Sequence, residues 1–309
     1  MMSLLDALSM LRRFRGYIAG AGGVGDMINA LRWSVWYAVK WWLEARDAGM
    51  ADRPVAKALY RSLLHHGYID EGGRPVKRVE QPKRPRGPYA QEWLALHEAF
   101  DRAFPKILRG DVEAGRLVAE SMQAQGWYKL WRDDFLEAAG FEGKRVLEAP
   151  LSAHNAVDIY SSRSPELYVG YAGSDEAVED LLEVSSAVSV GQCPGSGICV
   201  FVAPSACEVA DALGQLAPRE VLLFNSLHWM PDPAKEVACL KRAAPGALFY
   251  VGQAVVETMP GFLAITSAAG AIHTFSRSEV EAALEAAAGL RRRKLLLREM
   301  PFYAAVWSP

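Results

Sequence analysis

The stretch Arg145-Val146-Leu147-Glu148-Ala149-Pro150-Leu151-Ser152-Ala153-His154 has the form of the first strand and turn of a nucleotide-binding βα unit, yet it holds no glycine. Such a turn normally lets bare backbone approach a ligand, because a Cβ there would occupy the ligand's space. Glycines at suitable spacing occur elsewhere: Gly20-Ala21-Gly22-Gly23-Val24-Gly25 matches GxGxxG, with acids at Glu44 and Asp47 beyond it. The context does not suit a dinucleotide, since Arg12-Arg13-Phe14-Arg15-Gly16 makes a poor buried strand and the acids fall in the following helix. The run reads as a glycine hinge between two helices. Gly195-Ser196-Gly197 lacks the Lys-Ser/Thr ending of a phosphate loop and the frame of a nucleophile elbow, and reads as a tight turn.

Other chemically able residues are isolated. Cys193, Cys199, Cys207 and Cys239 form no CxxC pair and have no histidine at zinc spacing, so no metal site is expected and reduced structural thiols are. His273 precedes Thr274-Phe275-Ser276, where Ser276 suits an N-cap. Arg291, Arg292 and Arg293 read as the solvated end of the preceding helix.

These residues need elements to hold them. The chain has 309 residues, 51% hydrophobic and 23% charged, which excludes a disordered class and is enough for two cores. A net charge of -2 supplies no global field toward nucleic acid or anionic membrane. The basic run Lys77, Arg78, Lys83, Arg84 and Arg86 is broken by prolines at 75, 82, 85 and 88 and reads as a solvated linker. No apolar stretch approaches the ~20 residues that span a bilayer. With no signal peptide read at Met1, the expectation is a cytoplasmic protein without membrane contact.

Periodicity divides the chain near residue 140, into domains 1–140 and 141–309. In the first, Met27, Leu31, Val35, Ala38, Val39, Trp42 and Leu43 mark one helix face after an N-cap at Asp26. A second helix runs over 54–66, and Tyr68 to Val76 forms a hairpin around Gly72-Gly73, so a winged helix is expected. Lys57, Arg61, His65 and His66 on its second helix are too few to decide for DNA, and a solvated face is the preferred reading. Helices follow over 89–104 and 112–138, the latter with Trp127, Tyr128, Leu130, Trp131 and Phe135 as core or subunit interface.

From residue 144 strands over 144–149, 166–172, 198–204, 220–226 and 247–255 alternate with helices over 153–162, 174–186, 205–215 and 232–243. Alternation of this kind implies a mostly parallel α/β sheet. A helix over 278–288 and a hairpin of 294–298 with 302–307 close the domain with an antiparallel last strand.

The succession Arg145–Glu148, Tyr168–Val178, Glu220–Trp229 and Leu240–Leu248 resembles the class I S-adenosylmethionine-dependent methyltransferases. With the helical first half the chain is most similar to small-molecule O-methyltransferases, whose N-terminal winged-helix domain builds a homodimer. That resemblance implies a Rossmann-type fold, a glycine turn at Pro150, Ser152 and His154, and a ribose-binding acid at Ala172. All four positions depart from the pattern. It also places Glu148 at the first-strand acid position and implies that His228, between Leu227 and Trp229, would be the general base; if the protein is active, a remodelled pocket is expected to hold S-adenosylmethionine through Glu148, Ser152, Asn155 and backbone groups around Asn225.

The departures lead to the first-ranked expectation: a divergent methyltransferase-fold protein that has lost standard S-adenosylmethionine binding and acts as a ligand- or partner-binding homodimer. The alternative is an active S-adenosylmethionine-dependent O-methyltransferase on a small molecule with His228 as base, so whether it is an enzyme stays open. A third reading is a winged-helix DNA-binding regulator.

Overall fold

A computed structural model describes residues 15–193, 197–268, 270–271, 273–299 and 301–309; the residues before Arg15 and the expected turn at Gly195-Ser196 lie outside them. The chain forms two compact units. One gathers residues up to Phe135 with Ala254–Arg277 and Leu297–Tyr303; the other holds Leu136–Gln253, Ser278–Leu296 and Ala304–Pro309. The expected cut near 140 lies close to the first crossing, but the chain crosses back, so 1–140 and 141–309 are not self-contained blocks.

In the first unit, α1 (Arg15–Gly20) meets α2 (Val24–Asp47) through a turn in which Gly22 and Gly23 hold φ of 89° and 100°. A helix and not a strand precedes the glycines, so the dinucleotide context is absent. Asp26 is not the cap that was expected. It lies in the first turn of α2, and its carboxylate accepts the N–H groups of Arg86 and Gly87 at 3.1 and 3.3 Å. Met27, Val35, Ala38, Val39 and Trp42 are buried as the helical period requires.

Helix α3 (Pro54–His65) starts on its proline, and Gly67 follows at φ 64°. The hairpin beyond it is minimal: Val76 N–H bonds Tyr68 O at 3.0 Å, Asp70 N–H bonds Arg74 O at 2.9 Å, and a single antiparallel bridge joins Ile69 to Pro75. Pro75 has no N–H to extend a ladder. Then come α4 (Pro88–Leu108), α5 (Val112–Ala124) and α6 (Gly126–Ala139). The one helix expected over 112–138 is two, because Gln125 is extended and Gly126 sits where a Cβ would lie 2.9 Å from the Tyr89 ring.

The second unit runs β1 (Arg145–Glu148), α7 (Ala153–Arg163), β2 (Leu167–Ala172), α8 (Asp175–Val184), β3 (Val188–Val190), β4 (Ile198–Val202), α9 (Ala206–Gln215), β5 (Glu220–Phe224), α10 (Pro233–Ala243) and β6 (Leu248–Gln253). Next, α11 (Pro260–Ala268) belongs to the first unit, buried at every residue and packed on α2, α3, α4 and α5. Finally α12 (Arg277–Ala282) leads to β7 (Arg291–Leu297) and β8 (Tyr303–Ser308).

Among the described residues the strands form one sheet in the order β3-β4-β2-β1-β5-β6-β8-β7, with every pairing from β3 through β6 parallel. Strands β2 and β5 are buried throughout, as the centre of a parallel sheet demands. The link between neighbours β7 and β8 is too short for a crossover, so these two run antiparallel. The mostly parallel α/β class expected from the sequence is therefore observed. Arg291–Arg293 open β7 and do not end a helix: Arg292 pairs with Glu281 and Arg293 Nε donates to Ser308 Oγ at 2.8 Å.

The cysteines overturn the expectation of reduced thiols. Cys193 is bonded to Cys199 and Cys207 to Cys239, with Cα separations of 5.3 and 5.0 Å that suit such bridges. Residues six and 32 apart gave no spacing signal; the fold brings them together. Among the described residues no helix is long and apolar enough to cross a membrane.

Candidate functional site

In this sheet the strand order reverses at β1, which has β2 on one side and β5 on the other. Open α/β sheets bind ligands beyond the carboxyl ends of strands at such a reversal. Every cofactor or general-base candidate read from the sequence falls there, at the ends of β1, β2 and β5 or in the segments that follow.

Glu148 ends β1 and is 1% exposed. Its Oε1 accepts the Asn155 Nδ2 amide at 3.1 Å and its Oε2 accepts the Tyr168 hydroxyl at 2.8 Å. Both donors are themselves buried. The structure thus joins two expected cofactor residues, Glu148 and Asn155, to each other. This carboxylate closes an internal triangle between β1, α7 and β2.

The short loop after Glu148 is pinned to both neighbouring strands. Ala149 N–H bonds Leu222 O at 3.3 Å toward β5, and Leu151 N–H bonds Tyr171 O at 2.8 Å toward β2. Pro150, preceded by a cis peptide bond, lies between them. The Leu151 side chain lies against Gly170, where an added Cβ would stand 2.8 Å from Leu151 Cβ and 2.4 Å from Glu148 O. Leu151 was not among the expected site residues. Its signal was Gly170 inside a strand, since glycine there marks a close approach.

Ser152 precedes α7, whose Ala156 N–H bonds the Ser152 carbonyl at 2.9 Å, and its own side chain makes no capping bond. His154 is half-buried within the first turn of that helix. Ala172, at the end of β2, is buried and its carbonyl accepts Ala203 N–H at 2.9 Å. Its neighbour Tyr171 donates to Glu236 Oε2, which also accepts Ala206 N–H at 3.2 Å. Burial, and then the adjacent Glu236 carboxylate, push the Tyr171 phenol well above its ordinary value.

Beyond β5, Asn225 adopts φ 51°, with its N–H on Gly252 O at 2.7 Å and its carbonyl accepting Trp229 Nε1 at 3.0 Å. Those backbone groups serve β6 and Trp229. His228 is 2% exposed, in the short turn Leu227–Trp229. Leu227 N–H donates to Gln253 Oε1 at 3.2 Å, which identifies the other end of that amide as its nitrogen. Gln253 Nε2, 2.6 Å from His228 Nδ1, therefore donates to it. A neutral imidazole that accepts at Nδ1 carries its proton on Nε2. That tautomer has no lone pair on Nε2 with which to take a hydroxyl proton. The base role implied by the family resemblance does not fit this hydrogen bonding.

The segment expected to form a winged helix is equally committed to its own unit. On α3, Arg61 donates to Thr274 O, Ser62 Oγ to Val256 O at 2.8 Å, and His66 Nε2 to Thr258 O at 3.1 Å. Lys57 and His65 are exposed. Arg61 and His66 thus face protein carbonyls. Among the described residues no group of three or more His, Cys, Asp or Glu side chains could hold a metal ion.

No protein-family model matches this chain, and no curated protein does. Solved structures are similar at low identity. An O-methyltransferase family 2 protein from Planctomyces limnophilus, in complex with apigenin, is 13% identical over 100% of this chain and 97% of its own, with a TM-score of 0.49. An S-adenosylmethionine-dependent methyltransferase from Mesorhizobium loti is 13% identical over 61% of this chain and 100% of its own, with a TM-score of 0.42. Magnesium protoporphyrin IX methyltransferase from Synechocystis is 13% identical over 68% of this chain and 93% of its own, with a TM-score of 0.39.

Proposed function

We propose that this chain is a divergent methyltransferase-fold protein that has lost standard S-adenosylmethionine binding and acts as a ligand- or partner-binding homodimer. The observation that carries this reading is the end of β1, whose polar groups are already hydrogen-bonded within the protein. Pro150, Ser152 and His154 stand where the resemblance expects bare backbone, Leu151 between them packs on Gly170, and Glu148 is already bonded by Asn155 and Tyr168. Ala172 offers no carboxylate to a ribose, and a lost charged hydrogen bond there weakens binding by about 1.5–3 kcal/mol. The residues present do not fit the cofactor. The His228 tautomer set by Gln253 weighs in the same direction.

The homodimer would form through the helical unit, where Val24 and Ile28 stand exposed one turn apart on α2. Calorimetric titration with S-adenosylmethionine and its demethylated product tests the reading. No heat of binding is expected at high micromolar ligand, and micromolar affinity for either compound would overturn it. Sedimentation of the full chain tests the dimer separately, and a monomer at all concentrations would remove that part.

A further inference from the structure

The half-buried Cys207 and the buried Cys239 join the first turn of α9 to the middle of α10. Glu236 lies one turn before Cys239 on the same face of α10. Its Oε2 accepts the N–H of Ala206, next to Cys207, and the hydroxyl of Tyr171 near the carboxyl end of β2. A disulfide and a carboxylate thus tie the same two helices together, and the carboxylate extends the tie to β2.

The carboxylate is a costly member of this arrangement. Glu236 is 2% exposed, and its Oε1 is buried with no hydrogen-bond partner. A half-satisfied buried carboxylate favours any motion that admits water. The covalent bridge opposes that motion by holding α9 against α10.

We propose that Cys207–Cys239 is a redox-sensitive clamp whose reduction frees Glu236 to water and loosens the carboxyl end of β2. The chemistry is thiol–disulfide exchange with a dithiol reductant. One thiolate attacks a sulfur of the bridge, the mixed disulfide is resolved by the second thiol, and the reductant leaves as its own disulfide. Two electrons and two protons pass to Cys207 and Cys239, which become thiols. The first turn of α9 then parts from α10, and Tyr171 loses the acceptor that fixes it.

Hydrogen exchange on the full chain tests this. In a Cys193→Ser/Cys199→Ser variant only the clamp remains. Its reduction by dithiothreitol, verified by intact mass, should speed exchange at the Ala206 and Ala203 amides by about tenfold or more while the amides of β1 and β5 stay protected. A Cys207→Ser/Cys239→Ser variant should exchange fast at those amides without reductant and respond no further. Unchanged exchange at Ala206 and Ala203 after complete reduction would overturn the proposal. So would reduction that unfolds the whole sheet at once, or four free thiols in protein purified without reductant.

Discussion

Two histidines carry opposite proton assignments. His97, wholly buried in the helical unit, has Nδ1 2.7 Å from Trp93 O and Nε2 2.9 Å from Ser34 Oγ. A carbonyl only accepts, so Nδ1 holds the proton and Nε2 accepts from the serine. This is the tautomer a general base needs, in a place no substrate reaches. His228, in the turn after β5, holds the reverse. Nitrogen NMR should report neutral His228 protonated at Nε2, and Gln253→Glu should move that proton to Nδ1, because a carboxylate accepts and does not donate; an Nδ1 proton in the unaltered protein would sink the assignment. For His97, burial lowers the pKa from 6.5 to about 4. The folded pKa lies below the unfolded one, so the unfolded chain takes up a proton first as pH falls. His97 therefore contributes no pH dependence above about pH 6.5 and a loss of stability as pH drops toward 4, amounting to about 3 kcal/mol. Urea unfolding across this range should show that slope, and His97→Gln should flatten it.

At the scale of elements, legibility followed periodicity. The alternating segments from β1 to β6 were readable because central parallel strands are continuously apolar and their helices are not. Helix α11 was missed for a related reason: Pro-Gly-Phe-Leu-Ala-Ile-Thr-Ser-Ala is buried all round, and a helix without a polar face has no period to detect. Strand β3 was missed because it is three residues long and returns to a parallel neighbour within seven, a shorter link than parallel pairs ordinarily allow. At the site, the vacant acid position at Ala172 was plain in the sequence, but the Glu148–Asn155–Tyr168 triangle was not, since it joins residues from three elements. Gly261 of α11 sits at a close approach of helices. A Cβ there would lie 2.6 Å from Ser34 O and 2.8 Å from His97 Nε2, between helices that cannot part without opening the core. Gly261→Ala should destabilise by about 1–3 kcal/mol through overpacking, despite the better helix propensity of alanine. A thermal melt with an unchanged or raised midpoint would contradict that close approach.

For the whole molecule, the consequence lies in how the chain is shared between its units. Ala254–Arg277 and Leu297–Tyr303 join helices more than a hundred residues earlier in sequence, and α11 fills the space among α2, α3, α4 and α5. Residues 1–140 alone resemble an independent helical domain, the type that dimerises or binds DNA by itself. Their core, however, would lack a helix buried at all of its residues, along with the carbonyls of Val256, Thr258 and Thr274 that satisfy Ser62, His66 and Arg61. Removing several fully buried apolar side chains at about 1.5–3 kcal/mol each exceeds the 5–15 kcal/mol that holds a typical domain folded. The isolated fragment should therefore keep helical far-ultraviolet dichroism, lose the near-ultraviolet signal of Trp93, Trp127 and Trp131, and bind a hydrophobic dye. Cooperative unfolding of that fragment at the full chain's midpoint would mean that the later segments are dispensable to the helical core.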